Sequence, residues 1–142
     1  MKSKNKLLSA RQVLKLWRTA LLIRSGNKCE YPGCTCTSKL NGHHIIDKQI
    51  HRLKYTIGNG MMLCFYHHKM GLVSAHKDPF FKDKMVKAGV ISKMRIKWLE
   101  SIMQEELARM ERKEKPPIPD LKARQTAAGV LNNYIQKYEK RI

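Results

Sequence analysis

The chain has 142 residues, 42% of them hydrophobic but only 7% aromatic, and carries 29 Lys and Arg against 11 Asp and Glu for a formal charge of +18. That length allows one ordinary domain or a small core with helical extensions, and so few aromatic residues predict a modest core that a metal crosslink would help. The charge excess excludes partners that are themselves cationic and points to a polyanion, nucleic acid first and an anionic membrane surface second. The membrane alternative is the weaker one, because no run of about 18 apolar residues exists and the positive charge is spread along the chain. Arg11, Lys15 and Arg18 interrupt the first apolar segment, so it does not read as a secretory signal. The default compartment is therefore the cytoplasm. There, four cysteines point to metal ligation or free thiols rather than disulfides.

In chain order, Lys2, Lys4 and Lys6 form a basic leader available to phosphates. Ser9 with Gln12 is a capping-box start. Val13, Leu14, Trp17 and Leu21 then recur at helical spacing up to a stop at Gly26. The segment Cys29-Glu30-Tyr31-Pro32-Gly33-Cys34 is a turn by composition and brings two thiols together. Cys64 and His67 are spaced as the partner pair, so Cys29, Cys34, Cys64 and His67 are expected to make a Cys3His zinc tetrahedron. A closed site of that kind contributes about 10–16 kcal/mol in small finger peptides. Cys36 is the reserve ligand.

Leu40 to Ile46 reads as a short strand carrying His43 and His44. Successive strand side chains point to opposite faces. If both histidines serve one site, the backbone must bend or the metal must sit at an edge, and Gly42 would ease such a distortion. Asp47 to Ile57, with Lys48, Arg52 and Lys54, suits a loop or second strand near phosphates. Gly58-Asn59-Gly60 is a turn signal, Met61-Met62-Leu63 leads into Cys64, and a helix should begin near His67.

This order of short motifs (Cys29 to Cys34, His43-His44-Ile45, Asn59-Gly60, Leu63-Cys64, His67-His68-Lys69) resembles the HNH endonuclease family of the ββα-metal fold, in the zinc-bearing form of phages and mobile elements. The resemblance covers roughly residues 17–86 and runs on through Ser74-Ala75-His76-Lys77-Asp78-Pro79. It departs from the family in having His43 where Asp is common, and His67 where the second knuckle usually ends in Cys. It implies an α+β protein: a small ββα-metal core with a zinc knuckle, flanked by N- and C-terminal helices. It also implies a DNase that leaves a 5′ phosphate and a 3′ hydroxyl. His44 would be the general base, with His43 and His68 holding a catalytic divalent cation such as Mg2+ or Mn2+. Asn59 would fix the loop that orients His44, and Lys48, Arg52, Lys54 and Lys69 would meet DNA, most readily double-stranded. The spacing from Cys64 gives zinc to His67 and the second ion to His68, with the reverse division open. His51 and His76 read as solvated or packed residues.

Beyond the core, Lys77 to Lys87 predicts a short helix with Pro79 in its first turn and a stop near Gly89. Ser92 caps a longer helix to about Lys113, with Leu99, Met103, Leu107 and Met110 as one stripe and Trp98 and Ile102 beside it. Its glutamates make it the segment least suited to phosphate, and it serves either packing or self-association. Pro116 to Pro119 forms a stiff linker. The basic tail, with Leu121, Ala128, Leu131, Ile135 and Tyr138 at helical spacing, either lies on DNA or folds back. The organisation is thus 1–26 leader and helix, 27–90 zinc-bound nuclease core, 91–115 amphipathic helix and 116–142 linker and basic helix. Monomer and homodimer both remain open, and no membrane partner is expected. The competing function is a non-catalytic, zinc-stabilised nucleic-acid-binding module or assembly factor.

Overall fold

The computed structural model describes residues 8–116 and 120–139. The basic leader at Lys2, Lys4 and Lys6, most of the proline linker, and Lys140 and Arg141 lie outside the described residues. The protein is a small α+β fold in which helices α1 (Ala10–Ser25), α2 (Phe81–Lys87), α3 (Lys93–Glu111) and α4 (Asp120–Tyr138) surround a two-stranded antiparallel sheet of β1 (Leu40–His44) and β2 (Gly60–Cys64). Among the described residues no helix is long and apolar enough to cross a membrane.

Helix α1 starts at the expected capping box. The Ser9 hydroxyl accepts the Gln12 N–H at 3.2 Å, and the Gln12 carboxamide accepts the Ser9 N–H at 2.8 Å. It ends at Gly26, whose φ of 67° puts it in the left-handed region that a side chain would oppose. Val13, Trp17, Ala20 and Leu21 are all buried and form the face that meets the sheet. In the ladder Leu40 pairs with Cys64, Gly42 with Met62 and His44 with Gly60. By alternation these six share one face of the sheet, the one against α1. A Cβ on Gly42 would lie 2.7 Å from the Trp17 ring, and one on Gly60 would lie 2.6 Å from Trp17 and 2.7 Å from Leu21. Gly42 therefore does not ease a kinked strand, as the sequence suggested. It makes room for an indole, and β1 is regular up to its end at His44, two residues short of the expected end.

The chain between the strands forms no further strand. It folds into two 3-10 turns, His51–Leu53 and Ile57–Asn59. Side chains from α1 and α3 capture the carbonyls of its last turn. Thr56 O accepts the Trp17 indole N–H at 2.8 Å, Ile57 O accepts Arg24, Gly58 O accepts Arg95 at 2.6 Å, and Gly60 O accepts both arginines. Arg24 is neutralised by Glu30 at 2.7 Å, while burial beside Arg24 lowers Arg95 to about 10.

After β2 the helix expected to begin near His67 is a single π-helical turn, Tyr66–Met70. Gly71 ends it by donating to Tyr66 O at 2.8 Å, and the Tyr66 ring occupies the place a Cβ at Gly71 would need. Ala75 and His76 then donate to the carbonyls of His67 and His68, which doubles the chain back beside those two histidines. The Asp78 carboxylate accepts the Phe80 N–H ahead of α2, so that helix starts at Phe81 rather than Lys77. Ser92 caps α3 as expected, through Arg95 N. The buried stripe of α3 is Ile96, Leu99, Ile102 and Glu106, because this helix packs on the 51–59 turns; Leu107 and Met110 are 45% and 47% exposed. Glu106 is buried with its charge balanced by Arg109 at 3.1 Å. Helix α4 folds back on α1 and buries Ala128 and Leu131.

The close approach at Gly60 carries a stability prediction. Gly60→Ala should destabilise by about 1–3 kcal/mol through overpacking against Trp17 and Leu21. Gly129→Ala, on an open face of α4 with nothing within 4 Å, should stabilise by about 0.5–1 kcal/mol. Urea denaturation of the two variants reads both signs, and equal midpoints would show that α1 does not press on the sheet.

Candidate metal centres

Two clusters of potential ligands lie on either side of the His67–His68 peptide. The first is Cys29, Cys34, Cys64 and His67, whose ligand atoms all fall within 4.8 Å of one another. The Cys29 and Cys64 sulfurs stand 3.7 and 3.3 Å from His67 Nδ1. Tetrahedral zinc, with Zn–S of about 2.3 Å and Zn–N of about 2.05 Å, would set that separation at about 3.6 Å. The donor set suits structural zinc, and these two separations lie close to the one that zinc would impose. Cys29 reaches the cluster through a turn in which its N–H bonds Cys36 O, while Gly33 at φ 80° brings Cys34 round. The Cys36 thiol instead points to the Ser38 carbonyl at 3.4 Å, so the reserve ligand stands outside the cluster. Tyr31 lies flat on His67, centroids 3.9 Å apart, and holds its ring in register. Burial pushes the Cys29 thiol up to about 12. A cation is what would let such a buried sulfur ionise, so loading the site must release protons.

The second cluster is His43, His68 and His76. His68 Nε2 and His76 Nε2 are 3.1 Å apart, and the His43 ring meets both edge-on, with centroids at 5.4 and 5.6 Å. Neighbouring ligands at about 2.1 Å from a common ion would be about 3.0 Å apart in an octahedron and about 3.4 Å apart in a tetrahedron, which brackets the observed separation. Burial and the neighbouring imidazoles lower His43 to about 3 and His68 to about 4. Both rings are thus neutral at physiological pH, the form that ligates a cation. From the sequence, His76 reads as a solvated or packed residue. It belongs to this triad instead, because the chain reversal at Gly71 returns it to His68.

His44 lies elsewhere. It follows His43 on a regular strand and therefore faces α1, where its ring stacks on Trp17 with centroids 4.1 Å apart and planes 9° apart. No ring contact joins it to the triad among the described residues. Its Nε2 is 2.8 Å from Lys54 O. A carbonyl only accepts, so Nε2 carries the proton and Nδ1 keeps its lone pair. Burial, with Lys48 and Lys54 nearby, holds His44 below the ordinary imidazole value. Asn59 is fully buried and touches neither cluster. Its carboxamide accepts the Ile46 N–H at 2.7 Å and donates to Ile46 O and Leu53 O, tying both ends of the 46–53 loop to β2. Lys48 and Lys69 are exposed, and Lys69 lies near enough to His68 to depress it. Arg52 is engaged by Glu105 of α3 at 3.4 Å, on an exposed pair that a phosphate would readily displace. His51 is exposed beside it.

No family model matches the chain, and neither a curated protein nor a solved structure matches it.

Two predictions follow from the clusters. Metal analysis should find about one tightly held zinc per chain. Cys29→Ser or Cys64→Ser should lose it together with the cooperative melt, while Cys36→Ser should keep both. Separately, His43 and His68 take up protons near 6.5 when unfolded, but only near 3 and 4 when folded and metal-free. Their contribution to stability is full above about pH 6.5 and is lost as pH falls through that window. Thermal melts at descending pH should show it, with a shallower fall in His43→Gln.

Proposed function

We propose that the protein is a metal-dependent endonuclease of the HNH type, built on a ββα-metal core and hydrolysing phosphodiester bonds in duplex DNA. The observation that supports this most is the convergence of His43, His68 and His76 at one point, one strand position from a fourth neutral imidazole, in a chain of charge +18. A divalent cation on that triad would stabilise the charge that builds on the phosphate and on the departing 3′ oxygen. Three neutral nitrogens suit a first-row transition ion better than Mg2+, which prefers oxygen ligands. Of the divalent cations expected, this favours Mn2+ and its heavier neighbours over Mg2+.

His44 supplies the base. Its Nδ1 takes a proton from water, whose oxygen bonds to phosphorus while the bond to the 3′ oxygen breaks; that oxygen is protonated from solvent. Asn59 acts through the backbone, since it holds the loop whose Lys54 carbonyl fixes His44. Lys48 and Lys54 beside His44 and Lys69 beside His68 place positive charge on both sides of the proposed scissile phosphate. The competing reading, a zinc-stabilised module that binds nucleic acid without cutting it, is favoured by one observation: His44 faces α1 rather than the triad.

Supercoiled plasmid separates the two. The purified protein should nick or linearise it with Mn2+ more readily than with Mg2+. His44→Ala should lower the rate by about 100-fold or more while leaving DNA binding intact, and His76→Ala should abolish cleavage with every cation. Binding without cleavage under every cation would establish the module instead. In either case affinity should fall with salt, at a slope of about −0.9 per neutralised phosphate.

A further inference from the structure

We propose that Trp17, on the helix that precedes the metal-binding core, is a positioning residue for His44: it covers one imidazole face and tethers the backbone that selects the tautomer. The proposal rests on the nuclease reading for its kinetic consequence, though its structural content stands on contacts. Three of these converge on one ring. The Trp17 indole lies parallel to His44 at 4.1 Å, the indole N–H bonds Thr56 O at 2.8 Å, and the Lys54 carbonyl, two residues before Thr56, takes His44 Nε2–H at 2.8 Å. The same indole therefore bounds His44 from one side and pins the segment that bounds it from another. A stacked plane and one in-plane hydrogen bond together leave the imidazole a single orientation, with the Nδ1 lone pair as its remaining polar atom.

Packing of a core residue would not by itself require this arrangement. The indole reaches the sheet because Gly42 and Gly60 carry no side chain, and Gly60 is the ladder partner of His44. Any Cβ at either position would collide with Trp17 and lift the indole from the strand. Two glycines, one tryptophan and one histidine thus form a single fitted unit, in which the ring nearest His44 comes from outside the strand–loop–strand segment. The chemistry demands such a fit, since misplacing a base by about 1 Å costs on the order of 100-fold in rate.

The test compares Trp17→Phe, which keeps an aromatic face but lacks the N–H, with Trp17→Leu, which keeps apolar bulk without a flat face. Folding is controlled by circular dichroism and zinc content. In the wild type, nitrogen-15 spectra should show His44 protonated on Nε2 alone, with its carbon-bound ring protons shifted upfield by the indole. In Trp17→Leu those shifts should vanish and both tautomers should appear. With plasmid as substrate, kcat of Trp17→Leu should fall by about 10-fold or more while KM stays within about twofold of wild type, and Trp17→Phe should recover only part of kcat, since it restores the covering face but not the N–H tether to Thr56 O. A wild-type His44 with free-imidazole shifts and mixed tautomers overturns the proposal without recourse to any variant. So does a Trp17→Leu protein with unchanged His44 signals and unchanged kcat. Should the wild type cut no DNA under any cation, the nuclease reading fails, and the His44 signals alone then decide whether Trp17 holds the ring.

Discussion

Two glycines set how closely the first helix can approach the sheet, and most of the molecule follows from that approach. A two-stranded ladder has little stability by itself and must bury a face against something else. Here the face made by Leu40, Gly42, His44, Gly60, Met62 and Cys64 is covered by Trp17 and Leu21, with the missing side chains of Gly42 and Gly60 leaving room for the ring. Because the helix sits that low, Trp17 and Arg24 reach past the strands to the carbonyls of Thr56, Ile57 and Gly60. The connecting loop is held by side chains where no strand holds it.

That capture explains the order of a segment that has almost no regular structure. A buried carbonyl without a donor costs about 1–3 kcal/mol, and the stretch from Thr56 to Gly60, the first residue of β2, presents five in a row. Trp17, Arg24 and Arg95 serve four of them, and Ile45 N–H serves Asn59 O. Asn59 then turns its own carboxamide inward to hold the far end of the loop. The outcome is a rigid frame around Lys54 O, the atom that orients His44. Positive charge is drawn into this frame as well, and Arg95 tolerates its burial because carbonyl oxygens and Glu30 surround it.

Adjacent residues face separate surroundings twice in this fold, for two different reasons. His43 and His44 part because strand side chains alternate. His67 and His68 part because the chain passes from β2 into a π-helical turn, which sends His67 Nδ1 to the thiol cluster and His68 Nε2 to His76. Tyr31 and Phe81 fill the space between the clusters, with Tyr31 stacked on His67 and Phe81 against both Tyr31 and His43. A metal held at the thiol cluster would therefore brace the turn that carries His68.

The sequence by itself determined whatever depends on short range. The Ser9–Gln12 cap, the Gly26 and Gly89 stops, the Ser92 cap and the approach of Cys29, Cys34, Cys64 and His67 are all readable from spacing, because each is closed by residues a few positions apart or by paired knuckles. Tertiary structure alone decided the rest. The buried stripe of α3 runs through Ile96 and Glu106 instead of Leu107 and Met110, because the surface it covers is a loop whose path no periodicity encodes. His76 joined His43 and His68 through a chain reversal at Gly71, and Gly42 proved to be space for a tryptophan twenty-five positions earlier in the chain. Long-range contacts of this kind are fixed by which surfaces fit once the elements exist, and local pattern holds no record of that fit.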